Sequence, residues 1–307
     1  MPSDGFVNLH NHSDYSMLDG FGTIDEYIAR AKELNQTALG LTDHGNLYGT
    51  HTFIEKCNKA GIRPIPGIEA YMAPQNPDGA RCHHPIRYGH QGQESIDVSG
   101  SGSYLHLTLF AMNNTGLHNL YHLVMESSEE GNEFSHLDIP DGEGNYYMKG
   151  RMDIDMLSRH SDGIIATTGC PSGEIQTRLR LGQTQDAYDY AMRMAEMFPD
   201  RYYVEIMNHN MRGNIERAVL PELVEMARKL NLPLLATNDS HYCKQEDAYH
   251  HSEMLCSNSS ARRTDPTYDE GGKRFAFDGD RYFLTTRQEM MDILPTDIAD
   301  AASANTW

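Results

Sequence analysis

Short apolar runs alternate with amphipathic stretches along most of the chain. Ala38–Asp43, Ile65–Ala70, Tyr104–Ala111, Gly163–Gly169, Tyr202–Met207 and Leu232–Asn238 are brief and apolar, several with a polar end. Their length and apolar character predict strands. Between them, apolar positions recur at three- and four-residue spacing. Thr23-Ile24-Asp25-Glu26 reads as a capping box, and Ile24, Tyr27, Ile28, Ala31 and Leu34 follow as a helical stripe. Further helices are predicted over 48–60 (ended by Gly61), 116–126, 154–160, 172–198 and 214–230. Phe6–His12 is predicted as the first strand. Strand then helix, repeated six or seven times, predicts a parallel α/β architecture, and this length favours a (β/α) barrel over an open sheet. Polar stretches at 74–103 and 129–150 interrupt the alternation and are predicted as loops or insertions.

Composition narrows this picture. Hydrophobic residues make up 39% of 307, enough for a sizeable core, and no run approaches a membrane span. Met1–Gly5 lacks a basic segment followed by an apolar one, so no secretory signal is read. Five cysteines, odd in number and irregularly spaced, predict reduced thiols in a cytoplasmic protein. Net charge is −19. A domain that grips nucleic acid unaided is usually basic, so bound cations or another part of a larger assembly would have to hold such a substrate.

The candidate chemistry gathers at strand ends. On a strand, His10 and His12 project from the same face, which is half of a metal site. With 16 histidines in the chain, one His-x-His arises by chance, so the pair carries little alone. Downstream, however, His44, Glu69, Cys170, Asp239 and His241 all fall at or just past the C-terminal ends of predicted strands. Asp19 lies in the loop after the first strand. His106 is the exception, because it comes early in its apolar run. Each residue has an ordinary reading: His44 beside a helix cap, Glu69 a surface carboxylate, Cys170 a small buried hydrophobe, Asp239 an N-cap. In a parallel barrel all strand C-termini open on one face, so the shared placement favours one metal site of His, Cys and carboxylate ligands. Glu205 and His209 end another strand and are read as supporting or packing residues. Cys82-His83-His84 and His90 have no partner at ligand spacing and are read as solvated.

These residues carry a resemblance. Leu9-His10-Asn11-His12-Ser13, Leu41-Thr42-Asp43-His44-Gly45, Pro66-Gly67-Ile68-Glu69 and Asn238-Asp239-Ser240-His241 resemble the PHP (polymerase and histidinol phosphatase) domain. His106-Leu107-Thr108-Leu109, Thr168–Glu174, Arg274-Phe275, Tyr282-Phe283-Leu284 and Glu289-Met290 are similar to its polymerase branch, the N-terminal domain of bacterial replicative DNA polymerase III alpha subunits. The resemblance implies a distorted seven-stranded (β/α) barrel over 1–250, with insertions at about 74–103 and 129–150. A C-terminal extension over 251–307 would lead to a polymerase core that 307 residues cannot contain. It implies two to three divalent metals, whether zinc, manganese, iron or magnesium. His10, His12, Glu69 and Asp239 would hold the first; Glu69, His106 and Cys170 the second; Asp19, His44 and His241 the third. A water held at Glu69, His106 and Cys170 would be the nucleophile. The implied activity is metal-dependent 3′→5′ proofreading on a DNA 3′ end, presented by the rest of the polymerase, with other replisome subunits as partners and no membrane. Rival readings are a free-standing phosphomonoesterase of the histidinol phosphatase type, an amidohydrolase barrel, and a metal-binding scaffold without catalysis. Cys170 fits the amidohydrolase poorly.

Overall fold

Six of the predicted strands form one curled sheet in the computed structural model. It describes residues 5–74, 104–128, 139–140, 146–147, 150–209, 215–267 and 270–306. The strands are β1 (Ala38–Leu41), β2 (Arg63–Met72), β3 (Leu105–Ala111), β6 (Ile164–Thr167), β7 (Tyr202–Ile206) and β8 (Leu234–Ala236), in the order β1-β2-β3-β6-β7-β8. A two-residue ribbon of β4 (Ile139–Pro140) and β5 (Tyr146–Tyr147) stands apart from this sheet. The expected insertions at 74–103 and 129–150 lie almost wholly outside the described residues.

The sheet is not all parallel, as the strand–helix alternation had predicted. The β1–β2, β6–β7 and β7–β8 pairs are parallel, but β3 runs antiparallel to both β2 and β6. The reason is in the connection. A parallel neighbour needs a crossover, usually a helix, and the polar stretch between β2 and β3 has no helical apolar pattern. Reversing β3 brings its first residues beside the end of β2, with His106 opposite Tyr71.

The expected first strand, Phe6–His12, is an extended segment without a regular ladder. Side-chain amides and hydroxyls take over ladder positions. Val7 N–H donates to Thr306 Oγ1 (3.0 Å), Asn8 N–H to Gln36 Oε1 (3.3 Å), and Asn11 Nδ2 to the Asn8 and Gly40 carbonyls (2.9 and 3.0 Å). The segment still bonds to neighbours on two sides. Gly40 N–H donates to Asn8 O and Thr42 N–H to Asn11 O, both at 2.9 Å. On the other side His12 N–H donates to Ser240 O (2.7 Å) and Ser240 N–H to His10 O (3.0 Å). Gly40 is what permits this approach, because a Cβ there would lie 1.9 Å from Leu9 O.

Helices cover the sheet. α1 (Ile24–Glu33) starts at the capping box, with Thr23 and Glu26 exchanging both bonds. α2 (Thr50–Ala60) stops at Gly61, whose φ of 74° suits a left-handed cap. α3 (Asn114–Ser128) and α4 (Ile154–Arg159) follow. The helix predicted over 172–198 is two, α5 (Glu174–Arg180) and α6 (Thr184–Met197), because Gly182 takes a φ of 73° between them. α7 (Ile215–Leu230) precedes β8. Beyond β8 come α8 (Ala248–Asn258), α9 (Arg287–Ile293) and α10 (Thr296–Ala304). Met290, Leu294, Ile298, Ala299 and Ala302 from this last part sit in the same buried cluster as Leu107, Leu109, Ile164, Val204 and Ala236 of the sheet.

Candidate metal centre

The N-terminal segment delivers His10 and His12 to one side, as alternation requires, with ring centroids 5.2 Å apart. Each faces the same two carboxylates. His10 Nε2 is 3.3 Å from Asp239 Oδ1 and 3.6 Å from Glu69 Oε2; His12 Nε2 is 3.1 Å and 3.2 Å from those atoms. Glu69 is fully buried near the end of β2, and its two oxygens serve different neighbours. Oε2 also meets His44 Nδ1 at 2.9 Å, while Oε1 meets His106 Nδ1 at 3.0 Å. Cys170, past the end of β6, places Sγ 3.6 Å from that same His106 nitrogen. The reversal of β3 is what lets a residue at the start of a strand join residues at the ends of others.

Asp19 completes the other flank. Its Oδ2 is 2.7 Å from His44 Nε2 and 3.4 Å from His241 Nε2. His12 stacks between His44 and His241, at centroid distances of 4.1 and 4.4 Å. All nine candidate ligands therefore lie in one cluster. Three groups within it have ligand atoms close enough to share an ion: His10, His12, Glu69 and Asp239; His44, Glu69 and His106; and His12, His44 and His241. The first is the set that the resemblance implies for one metal. In the other two, His44 stands with Glu69 and His106 where Cys170 was expected, and His12 stands where Asp19 was expected.

The fit of this cluster to cations rests on its orphaned atoms. His10 Nε2, His12 Nε2, His44 Nδ1, Glu69 Oε2 and Asp239 Oδ1 are buried without a hydrogen bond of acceptable geometry. They are also the atoms that face one another. Their contacts are ion pairs with one another, at 2.9 to 3.6 Å, and a buried polar atom left without a hydrogen bond costs about 1–3 kcal/mol. Five turned inward are what an oxygen- and nitrogen-liganded cation would satisfy.

Other residues fix which nitrogen faces inward. Glu205 Oε1 is 2.7 Å from His10 Nδ1, so that nitrogen carries the hydrogen and leaves the Nε2 lone pair free. Glu205 in turn accepts from Thr237 Oγ1 (2.6 Å) and from Thr167 Oγ1. His12 Nδ1 donates to Ser16 Oγ (3.0 Å), which passes its own hydrogen to Asp43 Oδ1 (2.9 Å). His241 Nδ1 donates to the Asp239 carbonyl at 2.8 Å. The supporting role read for Glu205 thus has a geometry, whereas the Ser16–Asp43 relay was not read from the sequence; its signal is the buried acid next to His44. His209 does not enter the cluster. Its Nδ1 meets Glu216 Oε1 at 2.5 Å, its Nε2 donates to Asn238 O at 2.7 Å, and its ring stacks on Tyr282. Cys82-His83-His84 and His90 lie outside the described residues.

Electrostatics follow from the crowding. Burial draws the His10 imidazole down, but Asp239, Glu205 and Glu69 outweigh it and hold its pKa well above the usual histidine value. For His44, burial is likewise overcome by Glu69 and Asp19, which raise it to about 10. Burial would raise Glu69, yet His106, His44 and His10 hold it well below the usual carboxylate range. Asp19 is held low against burial by His241 and His44, and Asp239 chiefly by His10 and His12. Burial, with Glu69 and Asp239 nearby, pushes the Cys170 thiol well up. Asp19, Glu69 and Asp239 thus stay ionised, and His10 and His44 hold protons that a cation would displace.

Fold and site together define a mixed α/β sheet, curled around a buried cluster of imidazoles, carboxylates and a thiol suited to divalent metals. Residues 8–209 match the family model described as "PHP domain", and the chain belongs to that family. It is 43% identical over 300 residues to DNA polymerase III subunit alpha of Mycobacterium tuberculosis (strain H37Rv), a match covering 97% of this chain and 23% of the relative. With the subunit from Saccharopolyspora erythraea it shares 41% over 311 residues, and with that from Thermus aquaticus 33% over 297. These matches cover 98% and 94% of this chain, and 24% and 21% of the relatives. The chain thus spans about a quarter of the length of these relatives or less. Among solved structures, a putative metal-dependent phosphoesterase from Bifidobacterium adolescentis aligns with a TM-score of 0.42 at 14% identity, covering 78% of this chain and 89% of that one. Among the described residues, no helix is long and apolar enough to cross a membrane.

Proposed function

We propose that the cluster binds two to three divalent metals and hydrolyses phosphodiester bonds at a DNA 3′ end, as a proofreading 3′→5′ exonuclease within a cytoplasmic replicative polymerase. The observation that carries the reading is the set of five inward-facing buried atoms without hydrogen bonds. The likeness to polymerase III alpha subunits supports the DNA context and a replisome as its setting. In this reading the chain divides into a barrel over 1–250, with the N-terminal segment as its seventh stave, and an extension over 251–307. The ligands are His10, His12, Glu69 and Asp239 for one metal, Glu69, His106 and Cys170 for another, and Asp19, His44 and His241 for a third. Zinc, manganese, iron and magnesium are the candidates.

Metals held there would supply Lewis acidity toward a phosphate and nucleophilic water near neutral pH. The chain's own residues do the rest. Glu205, Ser16 and the Asp239 carbonyl pin the Nδ1 hydrogens of His10, His12 and His241, so three Nε2 lone pairs are aimed in advance. Glu69 offers one oxygen to each side of the site and holds the two sides in fixed relation. Ligand burial keeps bulk water from competing for the charge that builds on phosphate oxygens and the leaving 3′-oxygen.

The test is a 5′-labelled single-stranded oligonucleotide incubated with the chain and Mn²⁺ or Zn²⁺. A ladder shortening from the 3′ end, released as nucleoside 5′-monophosphates and abolished by chelator, supports the proposal. Asp19→Asn and His241→Ala should each remove it without unfolding the protein. A ladder of equal rate from wild type and both variants would sink it. Free phosphate from histidinol phosphate with no ladder would move the assignment to the phosphomonoesterase. Bound metal without hydrolysis of either would leave a scaffold.

A further inference from the structure

We propose that His251, the fourth residue of α8, is a positioning residue that fastens the turn bearing Asp19 and so sets the third metal's ligand in place. The inference rests on the assignment of Asp19, His44 and His241 to one metal. His251 is 2% exposed, and its Nε2 is 2.8 Å from the Asp19 main-chain oxygen. A carbonyl only accepts, so Nε2 carries the hydrogen.

The turn needs a fastening. It closes on itself through Asp19 N–H and Gly20 N–H, both donating to Ser16 O at 3.0 and 2.8 Å. Leu18 takes a φ of 61°, an uncommon conformation for a side-chain-bearing residue. Its tip points outward, with Met17 80% and Leu18 48% exposed, so little packing holds it from that side. Phe21 N–H donates to His241 O at 2.7 Å, which ties the turn at its far end. The His251 bond ties it at the ligand itself. Asp19 Oδ2 then stands 2.7 Å from His44 Nε2.

The clamp is in turn held in place. Phe277 meets His251 edge-on at 4.9 Å and His241 edge-on at 4.6 Å, and Tyr242 lies 5.2 Å from the His251 ring. One aromatic ring thus braces both the clamp and a candidate ligand. The residues involved come after β8, so the Asp19 side of the site depends on chain that follows the sheet.

Three proteins decide this: the wild-type chain, His251→Gln, whose amide nitrogen reaches where Nε2 was, and His251→Phe, which keeps a ring but has no donor. In the metal-free state, amide hydrogen exchange is read at Asp19 and Gly20. It should quicken about tenfold in His251→Phe and stay at the wild-type rate in His251→Gln. Cobalt titration followed by visible absorption should then show one equivalent lost or weakened in His251→Phe and kept in His251→Gln. Unchanged exchange in His251→Phe would overturn the clamp, and so would His251→Gln behaving like His251→Phe. Quickened exchange with full cobalt binding would overturn the link to the metal. Asp19→Asn titrated alongside tests the metal assignment itself: if it loses no cobalt equivalent, that assignment falls, while the exchange data still decide the clamp.

Discussion

Replacing Glu205 should separate what this buried carboxylate does for the fold from what it does for the metal site. It is 1% exposed and accepts from His10 Nδ1, Thr237 Oγ1 and Thr167 Oγ1. In Glu205→Ala all three donors lose their acceptor. At about 1 kcal/mol each the loss is roughly 3 kcal/mol, within the range of about 3–5 kcal/mol for removing one partner of a buried pair. Glu205→Gln behaves differently. Its amide oxygen can still accept from His10 and Thr237, and its NH₂ turns toward Thr167, whose hydroxyl hydrogen is left over. One lost bond costs about 1 kcal/mol.

The metal-site effects should not track these stabilities. His10 keeps its tautomer in Glu205→Gln but exchanges a carboxyl partner for an amide, so divalent affinity should fall about tenfold, the low end for such supporting groups. In Glu205→Ala only Thr108 Oγ1, at 3.4 Å, is left beside the Nδ1 hydrogen, and the fall should approach about a hundredfold. Glu216→Ala is the control. It breaks the buried contact with His209 outside the cluster, so stability should drop while affinity holds. The assays are urea unfolding of the chelated protein and metal competition against a chromophoric chelator. Wild-type affinity in Glu205→Ala, or equal loss of affinity in Glu216→Ala, would refute the argument that Glu205 orients a ligand.

Three further outcomes follow from the same geometry. His44, raised to about 10, stabilises the metal-free fold fully below about pH 6.5 and less as pH rises through its folded value, so the chelated protein's melting temperature should fall across that window. Over the same window metal affinity should climb about tenfold per pH unit for each proton displaced, and calorimetry in two buffers should register the released protons. Gly40→Ala should cost roughly 3 kcal/mol in chemical denaturation, the upper end for overpacking, because its Cβ meets the Leu9 carbonyl and not a movable side chain. With a net charge of −19, the chain alone should bind single-stranded DNA more weakly than low-micromolar at physiological salt, as read by fluorescence anisotropy.

Much of this was legible because it is local. The capping box at Thr23 and the stop at Gly61 are written within four residues of where they act. Strand ends carrying His44, Glu69, Asp239 and His241 could be read because apolar runs mark where strands finish. The first strand misled for the opposite reason. Its apolar alternation is real, but Asn8, Asn11 and Gln36 divert its hydrogen bonds, and Gln36 is nowhere near it in sequence. Likewise the Ser16 relay joins a loop to Asp43, and no spacing rule links them.

His106 shows where the sequence held more than the alternation alone revealed. Eight of the nine candidate ligands lie near or past the end of a strand, sit in the loop after one, or lie within the extended first segment. His106 alone stands at the beginning of its run, an apparent breach of the pattern. The breach is itself a statement of direction. If all ligands share one end of the sheet, a ligand at the start of a strand requires that strand to run the other way. β3 does so, pairing His106 with Tyr71 and Thr108 with Glu69. The sequence of the polar stretch before it agrees, since it has no helical apolar pattern to predict a crossover for a parallel return. An exception in ligand placement and a gap in helical pattern were two signs of one reversal. Reading them together would have predicted the mixed sheet from the residues that bind, where hydrophobic alternation alone pointed to a parallel one.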